Sequence, residues 1–365
     1  MHYVKQKIGI DARPLAYGMT GNSRYLAEVL RVILPKHKDK EFFLYSNKQI
    51  HPVFQDLFGP NTKVVLEPKN IPGPIYLNFI LPKRLKQDGV EVFWGTIQML
   101  PFKKLPIPSY VNYHDLNFVS APETMAKWNY LQHKLLSPIT MKNADKIFCL
   151  SKNTKIEIIK FNPKYEDKCL VVYPGVSKQK TTKQKTNFPK DFFLTVGTLE
   201  PRKNINRLVD AFLEFKKNHP KDKHSLLIMG RKGWGEEGEF LYQKLKDSKI
   251  QNLGIQFIEK PDDSTLAEAF KQCKAFFFPS LHEGFGLPLL EAMLEDKRCV
   301  ASDIPVFKEI LSDKCDLYVP PKDTKDWTRS FELMSGPIKK RSPKFPTKQW
   351  TWEETARKIE EVLFQ

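Results

Sequence analysis

The chain has 365 residues, more than one hydrophobic core usually serves, and its 41% apolar content is ordinary for a globular protein. It holds no uncharged apolar run of about 18 residues to cross a bilayer, its N-terminal MHYVKQKIGIDARPL lacks a signal peptide's apolar stretch, and its five scattered cysteines without a CxxC suggest reduced cytosolic thiols instead of disulfides or zinc. The net charge of +17 is lopsided: residues 1–185 hold 29 Lys+Arg against 14 Asp+Glu, and the remainder 30 against 28. A basic half favours an anionic partner such as a phosphorylated substrate, acidic lipid or nucleic acid; a lysine-rich solvated surface is the plainer reading.

In chain order, KIGIDARPL reads as a strand and its exit loop. GMTGNSRYLAEVLRVILPK follows, with glycines and then helical spacing of Tyr25, Leu26, Val29, Leu30 and Ile33. EFFLYS, KVVLEP, EVFWG and PSYVNYHDL are strand-like, and KIFCLS leads into a helix opened by Ser151. CLVVYPGV closes the series. SKQKTTKQKTNFPK (177–190) has Phe188 as its one large apolar residue and reads as a linker. After it the alternation restarts with DFFLTVGT, NINRLVDAFLEFKKN, HSLLIMG, GIQFIE, STLAEAFKQC, KAFFFPS, LPLLEAML and RCVASD. Strands alternating with helices predict parallel sheets covered on both faces, here in two α/β domains. QWTWEETARKIEEVLFQ predicts a capped amphipathic helix from near Thr351.

The stretch PSLHEGFGLPLLEAM (279–293) concentrates the chemistry. A strand runs into a glycine turn, and a helix begins near Pro288, where proline is at home. The unsatisfied amides and dipole of a helix start, with glycines that let backbone approach closely, suit a diphosphate. Glu291 in the first turns can accept hydrogen bonds from vicinal ribose hydroxyls, and Glu283 before the turn from a sugar hydroxyl. The plainer alternative is a helix whose acidic residues complement its dipole. Arg202 and Lys203 in LEPRKN, between a strand and a helix, offer charge to a phosphate, or form an exposed basic helix start against the dipole. His114 ends a strand with Asp115 beside it; such a histidine is structural or a proton donor and acceptor.

PSLHEGFGLPLLEAM resembles the E-x7-E signature of retaining glycosyltransferases of the two-Rossmann-domain GT-B type, carbohydrate-active family 4. IGIDARPL…GNSRYLAEVL, VNYHDLNF, VGTLEPRKNINRLVDAF, MGRKGWGEE and WTWEETARKIEEVL resemble further segments of that family in the same order. The pattern is most similar to bacterial mannosyltransferases of O-antigen and other surface polysaccharides. The resemblance implies an α/β GT-B fold: an N-terminal acceptor-binding Rossmann-like domain (1–182), a C-terminal nucleotide-sugar domain (183–348) facing it across a cleft, and a crossover helix (349–365) packing back on the first.

By the same resemblance, His114, Glu283, Arg202 and Lys203 are catalytic. Gly21, Arg202, Lys203, Gly284, Phe285, Gly286, Leu287 and Glu291 bind the donor. The base is expected near GIQFIEK (254–260). No cofactor and no metal are expected, the chain having no Asp-x-Asp motif. The implied partners are a nucleotide-sugar donor, GDP-mannose or a UDP-hexose, and a glycan or lipid-linked acceptor in lipopolysaccharide or O-antigen assembly. Nucleic acid is not expected, because aromatics do not interleave with the basic residues. The expected location is cytoplasmic, free or peripheral on the inner face of the cytoplasmic membrane.

Three departures from the family stand out. Gly197-Thr198 replaces the Gly-Arg usual after the strand, which leaves more to Arg202 and Lys203. Gly21-Asn22-Ser23 replaces a richer glycine loop. LEDKRCVASD lacks the small residue and glycine usual before the next strand, so a longer or more charged loop is expected there. Residues 70–90 (NIPGPIYLNFILPKRLKQDGV) suit either a core helix or an interfacial helix on anionic lipid. Rival readings are a GT-B epimerase or phosphorylase and a non-enzymatic basic-surface binding protein.

Overall fold

A computed structural model describes residues 5–67, 71–178, 186–337 and 349–365. Two compact units divide the chain. One comprises Met1–Phe118, Lys127–Gly175 and Thr347–Gln365; the other Val119–Ala126 and Val176–Pro346. The expected domain boundary at 182/183 lies in 179–185, outside the described residues, as does much of the expected linker.

The first unit is built on seven parallel strands: β1 (Gln6–Asp11), β2 (Lys40–Ser46), β3 (Thr62–Leu66), β4 (Val92–Gly95), β5 (Ser109–Tyr113), β6 (Lys146–Cys149) and β7 (Cys169–Val171), in the order β3-β2-β1-β4-β5-β6-β7. Ile8 and Ile10 of β1, Phe42 and Leu44 of β2 and Trp94 of β4 are fully buried, because helices cover both faces of a parallel sheet. Thr20 caps the helix Gly21–Lys36: its hydroxyl accepts from the Ser23 amide at 3.3 Å, and the Ser23 hydroxyl accepts from the Thr20 amide at 2.7 Å. The C-terminal helix Trp352–Leu363, capped by Thr351, puts Trp352, Ala356 and Ile359 into the same core as Tyr25, Leu26 and Ile33. Gly175 admits it: a Cβ there would lie 2.2 Å from the Trp352 amide nitrogen.

The second unit has six parallel strands: β8 (Phe192–Val196), β9 (Ser225–Gly230), β10 (Ile255–Glu259), β11 (Ala275–Phe278), β12 (Arg298–Ser302) and β13 (Leu317–Val319), in the order β10-β9-β8-β11-β12-β13. Its core is aromatic, with Phe193, Phe212, Phe277 and Phe331 packed ring on ring and Trp327 at full burial. The expected α/β class with parallel sheets is borne out in both units.

The loop before β12, expected to be longer or more charged, is charged through Glu295, Asp296 and Lys297 but not long. The helix Leu287–Leu294 ends in a tight turn: the Lys297 amide donates to the Ala292 carbonyl at 2.9 Å and the Asp296 amide to Met293 at 3.1 Å. Asp296, at φ 54°, takes the left-handed position that glycine takes elsewhere, a conformation aspartate tolerates better than most residues.

Candidate active site

In both sheets neighbours of the first strand run in opposite directions through the chain, β1 to β2 and β4, β8 to β9 and β11. Ligands of open α/β sheets bind beyond the carboxyl ends of the strands at such switch points. In the second unit that point lies between the loops after β8 and β11. The 3-10 turn Pro201–Lys203 follows β8, and residues 279–286 follow β11.

Asn204 ties the two loops together. It sits in the left-handed region at φ 55°, and its side-chain amide donates to the carbonyls of Pro279 at 3.0 Å and Pro321 at 2.7 Å. The Leu281 amide donates to the Arg202 carbonyl at 2.8 Å. These bonds bring Arg202 and Lys203 onto Glu283, some eighty residues away in the chain. Arg202 Nη1 donates to Glu283 Oε2 at 2.7 Å and to the His282 carbonyl at 2.9 Å. Arg202 Nη2 donates to Glu200 Oε1 at 2.7 Å. Lys203 Nζ donates to Glu283 Oε1 at 2.5 Å, and the Ser280 hydroxyl to the same oxygen at 2.8 Å.

Glu283 is 7% exposed. Burial pushes its carboxyl upward, but Arg202 and Lys203 outweigh burial and hold it at about 2. Glu200 moves the other way: burial raises it more than Arg202 and Lys203 lower it, and Glu283 adds to the rise. Two cations and two carboxylates share one nearly dry spot. Glu200 and Ser280 had no place in the sequence reading, because what identifies them is contact across distant loops and not a local pattern.

Gly286, at φ 130°, ends the turn in a conformation open to glycine, and the helix Leu287–Leu294 starts directly after it. The first amides of such a helix have no helical acceptor. Phe285 is buried, so its backbone, more than its ring, is what it can offer a ligand. Glu291 lies in the second turn of the helix Leu287–Leu294. It is 9% exposed and lines a small crevice with Leu266, Phe270 and Lys178, the last bridged to Glu295 at 3.5 Å. The 254–260 segment forms β10 and its exit, where the Lys260 amide donates to the Gly230 carbonyl at 2.6 Å.

His114 and Gly21 belong to the first unit. His114 follows β5, and its Nε2 lies 2.9 Å from the Thr96 carbonyl after β4. A carbonyl only accepts, so Nε2 carries the proton and Nδ1 is left as an acceptor. Burial lowers the pKa of the ring, which keeps it neutral, and it packs edge-on against Tyr25 with centroids 5.7 Å apart. Asp115 is used locally: its carboxylate accepts from the Asn117 amide at 3.2 Å and side chain at 3.1 Å. Gly21 opens the first helix, and a Cβ there would meet nothing within 4 Å. Packing therefore does not require glycine at that position.

Residues 178–342 match the family model described as glycosyl transferases group 1. The O-antigen chain mannosyltransferase RfbU of Salmonella typhimurium is 28% identical over 222 residues, and the match spans 61% of this chain but only 59% of that curated relative. O-antigen chain mannosyltransferase B of Escherichia coli is 27% identical over 348 residues, 87% of each chain. Among solved structures, Anabaena Alr3699/HepE in complex with UDP and glucose is 15% identical and superposes at a TM-score of 0.67 over 99% of this chain and 96% of its own. The resemblance read from the motifs and the expected GT-B fold are both borne out.

Proposed function

We propose that this chain, carrying the glycosyl transferases group 1 domain over residues 178–342, is a retaining glycosyltransferase that moves a hexose from a nucleotide sugar to a glycan or lipid-linked acceptor. The observation that carries this reading is the meeting of Arg202, Lys203 and Glu283 beside a glycine turn and helix start, at the switch point of the second sheet. Arg202, Lys203 and the 284–287 backbone bind the donor diphosphate, Glu291 the ribose and Glu283 a hydroxyl of the sugar. His114 accepts from a sugar hydroxyl through Nδ1, and the backbone at Gly21 approaches the donor phosphates. The second unit takes the donor and the first the acceptor.

Retention follows from front-face substitution. The bond from the anomeric carbon to the phosphate oxygen breaks, the acceptor oxygen bonds to the same face, and its proton passes to the departing phosphate. The leaving diphosphate gains charge as that bond breaks. Fixed cations that need no reorganisation at that moment stabilise it, and Arg202 and Lys203 fill this role without a metal.

Mannose from GDP-mannose, and a role in surface-polysaccharide assembly, are supported by the two relatives named as O-antigen mannosyltransferases. A UDP-hexose is the second reading, supported by the complex of the superposing Anabaena HepE with UDP and glucose. Thermal shift with GDP, UDP and their sugar conjugates separates the two. A selective shift by GDP and GDP-mannose is expected; a shift by none of the nucleotides overturns the enzyme. The product's anomeric configuration, read by NMR, tests retention, and an inverted product sinks the mechanism.

A peripheral membrane position belongs to the same reading. Among the described residues no helix is long and apolar enough to cross a membrane. Of the large apolar side chains within 71–90, Tyr76, Leu77, Leu81 and Leu85 are buried, while Ile75 and Phe79 are exposed. The helix Lys127–Asn143 is better suited. Trp128, Leu131, Leu135 and Ile139 are exposed along one stripe, Trp128 by 74%, flanked by exposed Lys127, Lys134 and Lys142, and the helix holds no acidic residue. An apolar stripe with a cationic border fits an anionic lipid surface.

A further inference from the structure

A cavity of about 510 Å³ lies within the first unit, at the carboxyl ends of β1, β2 and β4. Its size suits a monosaccharide or a short saccharide with a substituent. Arg13, from the loop after β1, forms part of its wall and is 9% exposed. Asp11 accepts from Arg13 Nε at 2.8 Å and from Nη2 at 2.7 Å. That fork fixes the guanidinium and leaves Nη1, which has no hydrogen-bond partner among the described residues. Nη1 is the atom nearest to where a Cβ would project from Gly73 in the opposite wall, 3.9 Å away. Nη1 borders the cavity, where both its protons are available to the acceptor oxygens of a ligand.

The rest of the wall is rich in donors. Lys48 lies 5.1 Å from the centroid of the Tyr17 ring and donates to the Tyr17 hydroxyl at 3.3 Å. Asn22 lies in the first turn of the helix Gly21–Lys36, whose positive end therefore borders the cavity. No carboxylate is among the lining residues, and Asp11 is consumed by Arg13. Beside the pair, the Tyr76 hydroxyl is buried and also lacks a partner. It sits in a π-helical turn, Tyr76–Ile80, a distortion frequent at functional sites. Hydroxyl groups alone would call for acceptors as well as donors. A surplus of donors, with one cation compensated by Asp11 and a second, Lys48, not compensated, calls for an oxyanion.

We propose that this cavity binds a phosphate group carried by the acceptor, held by Arg13 Nη1 and Lys48, with the adjoining sugar ring on the exposed face of Tyr17. The identification of the ligand as the acceptor rests on the glycosyltransferase reading above; the oxyanion site itself does not.

Calorimetric titration with mannose 1-phosphate, methyl mannoside and a water-soluble short-prenyl diphosphate mannose tests the site, with GDP titrated separately. At least one of the phosphorylated ligands is expected to bind about tenfold or more tightly than methyl mannoside, reflecting charge-assisted bonds to the oxyanion. Preference for the prenyl diphosphate assigns a lipid-linked acceptor; equal binding of both assigns a free sugar phosphate. Lys48→Ala, at an exposed position, should weaken phosphate binding about threefold to tenfold and leave GDP binding and the melting temperature unchanged. Arg13→Lys, which keeps charge but loses the fork, should weaken it further. Binding of phosphorylated and unphosphorylated ligands with equal affinity overturns the proposal, as does phosphate affinity untouched by Lys48→Ala in a folded protein. Failure of sugar transfer from every donor, with phosphate selectivity intact, would instead overturn the function and leave the site standing.

Discussion

Lys203 Nζ lies 2.5 Å from Glu283 Oε1, so the cation assigned to the donor diphosphate and the carboxylate assigned to the donor sugar hold each other before any donor arrives. Arg202 closes the other side of the same carboxylate at 2.7 Å. Occupancy by a diphosphate must share these cations with Glu283. Arg202 and Lys203 are thereby balanced by Glu283, and their bonds fix the direction of its carboxylate.

Glu283→Gln should separate these roles. The variant removes the competing charge but keeps the shape and the acceptor oxygen. Nucleotide diphosphate binding is expected to hold or tighten, while turnover falls by about a hundredfold or more, on the scale seen when one aimed polar group is removed from a reaction site. Titration of GDP or UDP beside steady-state kinetics reads both. Near-normal turnover would remove Glu283 from the mechanism.

Lys203→Ala removes a cation that also lies 5.3 Å from the centroid of the Phe278 ring. Nucleotide diphosphate affinity should fall about tenfold, and nucleoside monophosphate affinity less, because a charge-assisted contact to the diphosphate is lost. Activity of the unaltered chain is expected to survive EDTA. Activity abolished by EDTA and restored by Mn²⁺ would mean that Arg202 and Lys203 do not carry the leaving-group charge alone.

Much of this was legible in the sequence, and the limits have physical causes. The glycine turn between an apolar strand and Pro288 marked the loop and helix start after β11, because each feature is local. Glu200 and Ser280 join the site through contacts that no local spacing encodes. Arg13 read as part of an exit loop; its meaning comes from Asp11 taking one side of the guanidinium and the cavity the other. Asp296 misled the reading of length in the loop before β12 because aspartate can take the left-handed turn that glycine usually fills. The exposed stripe of Lys127–Asn143 escaped because Thr140 and Met141 on the buried side blur its period.

The pH profile should carry the mark of His114. Burial lowers the pKa of its ring below the usual value near 6.5. The neutral ring is thus stabilised in the folded chain; its contribution is fully present above the unfolded pKa and is lost as pH falls through the lowered folded value. Protonation also turns Nδ1 from an acceptor into a donor. Activity is expected to hold through the usual histidine range near pH 6.5 and to fall only at more acid pH, as the ring protonates through its lowered folded value. His114→Asn should lower turnover and abolish that acid limb. Glu283, held at about 2, stays ionised throughout and cannot supply the limb. An unchanged limb in His114→Asn would clear the histidine of this role.

Gly175→Ala tests the seating of the C-terminal helix. The added methyl would lie 2.2 Å from the Trp352 amide nitrogen and 2.5 Å from the Thr351 carbonyl carbon, both backbone atoms with little room to yield. Overpacking of this kind costs about 1–3 kcal/mol. A lower midpoint in chemical denaturation is expected, with nucleotide binding retained by the folded fraction. Full stability would mean that the helix docks more loosely than the structure has it.

Trp128→Glu with Leu135→Glu tests the membrane face. Both side chains are exposed, by 74% and 59%, so neither replacement opens a cavity and stability should change little. The unaltered chain is expected to sediment with vesicles containing phosphatidylglycerol and not with neutral vesicles, because the three flanking lysines need an anionic surface. Raising salt should release it in part, since screening weakens the lysine term while the apolar stripe still inserts. The double variant should lose vesicle binding yet keep turnover on a short water-soluble acceptor. Binding that survives in the double variant would assign attachment to another part of the basic half; loss of soluble turnover would show that the stripe serves the reaction and not the lipid surface.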